Sequence, residues 1–195
     1  MAANSTIEVS SLYCRRGERL VLRDLSFSAR AGDFIVVTGP NGAGKSTLLR
    51  ALAGLIPIEK GTIAIDPFCH FVSHSDALKP ALTARENLSY TAGLLGGARR
   101  DPMAALSALG LGGLADMPAR HLSAGQKRRL ALARLLAVQR SVWLLDEPLT
   151  GLDRENAGRL SELIADHRGA GGCVVAATHQ PFELGNIVSL ELGRR

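Results

Sequence analysis

The chain has 195 residues, 46% of them hydrophobic, with a formal charge of +5. That size favours one domain with an apolar core, and no run of about 18 apolar residues exists that could cross a bilayer as a helix. The basic balance suits nucleotide phosphates, nucleic acid or an anionic membrane face, while Cys14, Cys69 and Cys173 are too scattered for a zinc site or a disulfide framework and read as reduced thiols.

The N-terminal Met-Ala-Ala-Asn-Ser-Thr-Ile has no basic stretch followed by an apolar one, so no signal peptide is predicted. Residues 7–28 read as two strands around a polar hairpin, Arg15 to Arg19. Ala31-Gly32-Asp33 is a turn, and Phe34 to Thr38 is a β-branched apolar run that reads as a buried strand. A glycine-rich segment follows, then a helix from Lys45 that ends at Gly54. Further strands are predicted at Thr62–Ile65 and across Phe68–Ser73, with a loop from His74 to Ala81. Thr83-Ala-Arg-Glu86 is a capping box that opens a helix to Leu95, closed by Gly96-Gly97. Residues 101–115 form another Ala/Leu-rich helical piece. Leu122-Ser-Ala-Gly-Gln126 starts a long helix to about Val138. Ser141–Leu145 is a strand, Gly151-Leu-Asp153 leads into a helix to about His167, and Cys173–Ala177 is the next strand. The alternation predicts an α/β core with a parallel, doubly wound sheet and ligands at the carboxyl ends of its strands. The middle third, about residues 75–138, reads as a helical subdomain inserted into that core.

The segment Gly39-Pro40-Asn41-Gly42-Ala43-Gly44-Lys45-Ser46-Thr47 matches G-x-x-x-x-G-K-[ST] between a strand and a helix. The glycines free the backbone so that loop N–H groups can converge on phosphate oxygens, and the helix N-terminus adds partial positive charge. Lys45 is expected on the β- and γ-phosphates and Ser46 on Mg²⁺. Four apolar residues end in Asp146-Glu147. Asp146 suits Mg²⁺ through water, and Glu147, one residue on, suits a general base for the attacking water. Ser123-Ala-Gly-Gln126 is a capping box and also a second helix N-terminus with a Ser hydroxyl and the Gly125 N–H available to an anion.

Together these segments resemble the nucleotide-binding domain of ABC transporters along essentially the whole chain, which makes residues 1–195 one such domain of the P-loop NTPase fold with an N-terminal antiparallel β region. Gly39–Thr47 looks like the Walker A motif, Leu122–Gln126 like the LSGGQ signature with Ala124 for its first glycine, Leu144–Pro148 like Walker B, Gly151–Asp153 like the D-loop, and His179 like the switch histidine. The resemblance implies binding and hydrolysis of ATP with Mg²⁺. It also implies a head-to-tail homodimer in which Ser123 of one subunit completes the ATP site of the other, nucleotide-binding roles for Gly125, Gln126, Asp153 and His74, and a His179 that contacts the γ-phosphate and supports Glu147. Two positions depart from the pattern. The Q-loop glutamine falls on His74. The adenine-stacking aromatic is either Tyr13 or, by ungapped counting, Arg16, whose guanidinium can also stack.

Within the family, a compact chain with His74 in the Q-loop, Leu-Ser-Ala-Gly-Gln-Lys-Arg-Arg at the signature and Thr178-His179-Gln180-Pro181 at the switch is similar to the cytochrome c maturation ATPases, named as ATP-binding subunits of a haem exporter. That implies a peripheral protein on the cytoplasmic face of the bacterial inner membrane. Its partners would be a CcmB-like integral membrane permease and further cytochrome c maturation proteins. It would energise haem export or the release of haem-loaded chaperone; no nucleic acid partner is expected. The competing readings are an ABC exporter with another substrate and a soluble ABC ATPase acting on ribosomes or DNA. The latter usually carry tandem cassettes or coiled-coil inserts, whereas here one motif set occurs and only about eighty residues separate the phosphate loop from the signature.

Overall fold

Eight strands and five α-helices are formed by the residues that the computed structural model describes, which are 6–66, 68–96 and 100–193. Five strands make one parallel sheet: β3 (Phe34–Thr38), β5 (His70–Val72), β6 (Val142–Asp146), β7 (Cys173–Ala177) and β8 (Ile187–Glu191). Their spatial order is β5-β6-β7-β3-β8, and every pair is parallel. All five residues of β6 and of β7 are buried, because both faces of the sheet are covered. This is why the two strands read as unbroken apolar runs.

Alternate residues of these strands feed two separate cores. Phe34, Trp143, Leu145, Val174 and Ala176 face one core, which is shared with Leu88, Leu106, Leu130 and Leu160. These leucines come from α2 (Ala84–Leu95), α3 (Pro102–Ala108), α4 (Ala124–Ala137) and α5 (Arg154–Gly169). Ile35, Val37, Val142, Leu144 and Val175 face the other core, shared with Leu48, Leu49 and Leu52 of α1 (Lys45–Leu52) and with Ile7, Val9 and Leu12. The last three belong to a three-stranded antiparallel sheet, order β2-β1-β4, made of β1 (Ile7–Arg16), β2 (Arg19–Ala29) and β4 (Lys60–Ile65). The chain is therefore layered as helices, parallel sheet, then α1 with the antiparallel sheet.

Local chemistry fixes the element ends. Gly54 at φ 67 closes α1: its N–H reaches Ala51 O and that of Leu55 reaches Arg50 O, the paired bonds of a Schellman turn. The box at Thr83 forms as expected, with Thr83 accepting from the Glu86 N–H and Glu86 from the Thr83 N–H. Gly97, read as part of the stop of α2, lies outside the described residues, as do the first five residues. Gly61 is held to glycine by close approach, since a Cβ there would lie 2.3 Å from Ser11 O, where a bulge interrupts the pairing of β1.

Three stretches differ from the sequence reading. The helical piece expected over 101–115 stops at Ala108, because Gly110 at φ 65 makes a second Schellman turn, and Gly112–Leu114 continues only as one 3₁₀ turn. The strand expected from Phe68 shortens to His70–Val72, because the Phe68 N–H is taken by Asp66 Oδ1 at 2.9 Å. Strand β8 was not anticipated. Among the described residues it pairs with β3 alone, and just Ile187 and Leu190 are half-buried, a spacing that does not follow the period of a strand. The signal that could have found it is the turn at Gly185-Asn186, with Asn186 at φ 53, before Ile-Val-Ser-Leu.

Candidate active site

Adjacency of β6, β7 and β3 brings three strand ends together, each carrying polar residues. From β3 comes the glycine loop. Gly39, Gly42 and Gly44 have φ of 135, 81 and 105, and a Cβ at Gly39 would lie 2.4 Å from Leu192 O, at Gly44 2.8 Å from Leu22 Cδ2. Helix α1 has no side-chain cap, and its first backbone bond is Leu48 N–H to Gly44 O. The donors of its first turn, Lys45 to Thr47, are thus left for another acceptor.

Lys45 is buried and its Nζ donates to Gly39 O at 2.7 Å and Pro40 O at 3.2 Å. It also lies 3.1 Å from His179 Nε2, from the end of β7. An ammonium has only donors, so that imidazole nitrogen is the acceptor. Ser46 donates its hydroxyl to Asp146 Oδ1, at the end of β6, at 2.9 Å. Glu147 sits at φ 48, its N–H bonded to Ala177 O at 2.8 Å. Its carboxylate accepts from the His179 N–H at 3.3 Å and lies 3.6 Å from His179 Nε2, beyond hydrogen-bond length. The side chain of Thr178 accepts from the Gln180 N–H at 3.0 Å, which turns the chain at His179.

A cavity of about 150 Å³ opens among these groups, lined by Asn41, Gly42, Gly44 to Thr47, Glu147 and His179. Gly39, Pro40 and Ala43 do not line it, although the first two carbonyls hold Lys45. Arg16 and Val21 complete its wall. Of the two candidates for base stacking, the fold therefore brings Arg16 to the cavity. Tyr13 pairs with Lys60 of β4, and its carbonyl accepts from the Glu59 N–H. A larger cleft of about 650 Å³ runs along β2 from the same loop and shares Val21 and Gly42 with the cavity. It lacks Lys45, Ser46, Glu147 and His179, so the smaller space is where the chemistry converges.

The other sequence-predicted residues lie away from this cavity in the single chain. Ser123 caps α4, with Ser123 Oγ accepting from the Gln126 N–H at 3.3 Å and Gln126 Oε1 from the Ser123 N–H at 2.8 Å. Gly125 packs against the backbone of Gly151: a Cβ would be 3.2 Å from Gly151 O. Asp153 caps α5, and the Asn156 backbone N–H, then its side chain, hold the Asp153 carboxyl below the usual carboxylate range. His74 is exposed. Sequence reasoning missed Arg128, a buried cation of α4 bonded to the carbonyls of Asp146 and Glu147. Its signal was the run Lys127-Arg-Arg129 at the start of a helix whose following residues are mostly apolar. Burial raises all three thiols, Cys173 to about 12, so they stay protonated and unreactive.

A glycine loop, an acid pair and a histidine at adjoining ends of a parallel sheet define a P-loop nucleotide-binding protein. The family model described as ABC transporter matches residues 22–150. A solved ATP-binding subunit of an ABC transporter superposes with a TM-score of 0.82 at 24% identity, over 90% of this chain and 80% of that one. An inward-facing ABC transporter of the metal-chelate type gives 0.82 at 29% identity, over 97% and 80%. Cytochrome c biogenesis ATP-binding export protein CcmA of Chelativorans sp. (strain BNC1) is 43% identical over 96% of this chain and 98% of its own. The proteins of that name from Nitrobacter hamburgensis and Rhodospirillum rubrum are 49% and 47% identical, covering 88% and 93% of this chain and 90% and 83% of theirs. The chain belongs to the ABC transporter family and, within it, to the cytochrome c biogenesis ATP-binding export proteins. It is an ATP hydrolase of the ABC type. Among the described residues no helix is long and apolar enough to cross a membrane, and an ATP-binding subunit of an export system works with membrane partner subunits.

Proposed function

We propose that this chain binds ATP between the glycine loop and Arg16 and hydrolyses it to drive membrane subunits in c-type cytochrome biogenesis. The observation that carries the reading is the meeting of Lys45, Ser46 and the Glu147–His179 pair around one cavity, with Asp146 buried behind it and bonded to Ser46. On this reading Lys45 exchanges the carbonyls of Gly39 and Pro40 for the β- and γ-phosphates, and the loop N–H groups from Asn41 to Thr47 take the remaining oxygens. Ser46 and Asp146 present hard oxygen donors 2.9 Å apart, a set that fits Mg²⁺. Mg²⁺ supplies positive charge against the phosphate oxygens when bound. Glu147 accepts the proton of the attacking water, and His179, next to both Lys45 and Glu147, contacts the γ-phosphate.

The reading extends to the groups remote from the cavity. Ser123, Gly125, Gln126 and Asp153 complete the site of a second copy in a head-to-tail homodimer, and His74 reaches the nucleotide only in that closed form. Residues 75–138 act as the helical subdomain that meets a CcmB-like permease and its companions at the cytoplasmic face of the inner membrane. The work done is haem export or the release of haem-loaded chaperone. The names of the relatives support the pathway, and the layered fold supports the motor.

The test mixes two variants that are each inactive alone. Lys45→Ala removes the phosphate contact, and Ser123→Arg blocks only the site of the opposite subunit. In a mixed dimer both lesions fall on one composite site and the other is intact, so ATP turnover returns on mixing. Mixed dimers that form without any turnover would show that Ser123 does not serve its partner in an independently firing site.

A further inference from the structure

Arg128 is 4% exposed and lies on α4, five positions after the Ser123 cap. Its guanidinium joins segments far apart in the chain. Nη1 donates to Ser73 O at 2.9 Å and to Asp76 Oδ1 at 3.3 Å. Nη2 donates to Asp146 O at 3.1 Å and Glu147 O at 2.7 Å. The two residues it grips on one side flank His74 and Ser75; the two on the other are the acid pair.

The grip falls on a strained residue. Glu147 at φ 48 occupies the left-handed region that side chains other than Asn, Asp and Gly seldom adopt. Its N–H is pinned by Ala177 O, and its carbonyl by Arg128 and by the Thr150 N–H at 3.2 Å. Relaxing φ would rotate one of these groups off its partner. While both hold, the carboxylate stays against His179. Folding alone gives little reason for an arginine here. Arg128 Nε is buried with no acceptor among the described residues, and a buried cation paired with one partly exposed aspartate carries a desolvation cost that an apolar side chain of similar length avoids.

We propose that Arg128 is a positioning residue for hydrolysis. It locks the main chain of Glu147, and through it the carboxylate, to the 73–76 segment that carries His74. The inference rests on the reading of Glu147 as the base. Only a planar fork can hold both pairs of acceptors; a lysine ammonium cannot span them.

The experiment uses the full chain with Arg128→Lys, Arg128→Met and Asp76→Ala, each alone, and Arg128→Lys combined with Glu147→Gln. It reads kcat and KM for MgATP, affinity for a fluorescent ATP analogue, the thermal midpoint, and single-turnover hydrolysis for the slow variants. Arg128→Lys and Arg128→Met are expected to lower kcat by about 10–100-fold with KM and affinity within about twofold. Asp76→Ala, which keeps the carbonyl bonds, lowers kcat several-fold and serves if the Arg128 variants do not fold. In the Glu147→Gln background Arg128→Lys adds no further loss, because the two act as one unit. A folded Arg128→Lys with normal kcat, or a loss of equal size in both backgrounds, overturns the proposal while leaving Glu147 as the base. A normal kcat for Asp76→Ala overturns the link to the 73–76 segment. Near-normal hydrolysis by Glu147→Gln itself removes the base reading and this inference with it.

Discussion

Helices α1 and α4 both begin at polar, glycine-containing motifs, yet their starts are built in opposite ways. Helix α1 opens on Gly44, with no side-chain cap and no acidic residue in its first turn. Helix α4 opens on Ser123 inside a complete capping box, and its other end is held by His70, whose Nε2–H donates to Val138 O at 2.8 Å. One helix leaves its N-terminal donors for an incoming anion. The other satisfies two of them internally and keeps only part of its anion-binding capacity. The free first-turn donors therefore belong to α1, whereas the start of α4 is held by its own side chains, an arrangement that fits the proposed service to a second subunit.

The largest effect expected from this contrast is at Lys45. Lys45→Ala removes the one ammonium aimed into the cavity and should abolish nucleotide binding, measured by a fluorescent ATP analogue, with the thermal midpoint retained. Normal turnover by the folded variant would mean that the open end of α1 is not the phosphate site. Next is Glu147→Gln, which keeps volume and hydrogen bonding but cannot accept a proton as carboxylate does. Hydrolysis should slow by about 10²–10⁴-fold while binding persists, and the chain should elute at doubled mass with ATP but not with ADP. A near wild-type rate without the ATP-dependent dimer would assign the water to another residue.

Much of this contrast was legible in the chain itself. Asp146 and Glu147 close an apolar run that reads as a buried strand, and Lys45 and Ser46 follow another such run across a glycine loop at a helix start, so their placement followed from pattern alone. The capping boxes at Thr83 and Ser123 were equally readable, because the partners lie three residues apart. What was not legible depends on contacts distant in the sequence. Strand β8 is stabilised by pairing with β3 and has little pattern of its own. Arg16 rather than Tyr13 reaches the cavity because bulges in β1 set which residues face the loop. Arg128 looks like one more surface cation until the fold carries Ser73 and Glu147 to it.

The far end of α4 gives a smaller, pH-dependent effect. Burial lowers the His70 pKa to about 4, with the nearby Arg140 and Arg134 adding to the shift and the bond to Val138 O opposing it. The unfolded chain binds a proton near the ordinary value of about 6.5, while the folded chain does not until about 4. Unfolding then takes up protons in that window, so stability is full above it and falls as pH drops through it, by on the order of 3 kcal/mol at most. His167, also lowered by burial, adds in the same direction. His70→Gln keeps an N–H donor without the titration. Urea melts between pH 4 and pH 7 should show a shallower slope for this variant than for the wild type. Equal slopes would place the acid sensitivity elsewhere and leave the C-terminal anchor of α4 without a role in it.

The smallest effect is at the start of α4, where Ser123→Ala tests whether the closed end is closed by its own side chain. The hydroxyl accepts from the Gln126 N–H, and Gln126 reaches back to the Ser123 N–H. Alanine removes the first bond outright and leaves the second without its reciprocal partner. Caps of this kind contribute about 1 kcal/mol, so the unfolding free energy should fall by about that amount, seen as a lower urea midpoint with an unchanged m-value, and Ser123→Asp should recover most of it. Thr83→Ala, which breaks the matching box on α2, should cost a similar amount. Gly44 of α1 has no such side chain to lose, so an N-cap serine there would be strained at φ 105 and press a Cβ to 2.8 Å from Leu22, destabilising where Ser123 stabilises. Binding of nucleotide by single chains should be the same for Ser123→Ala as for the wild type. A loss of affinity in the monomer would place Ser123 at its own chain's nucleotide and erase the distinction between the two helix starts.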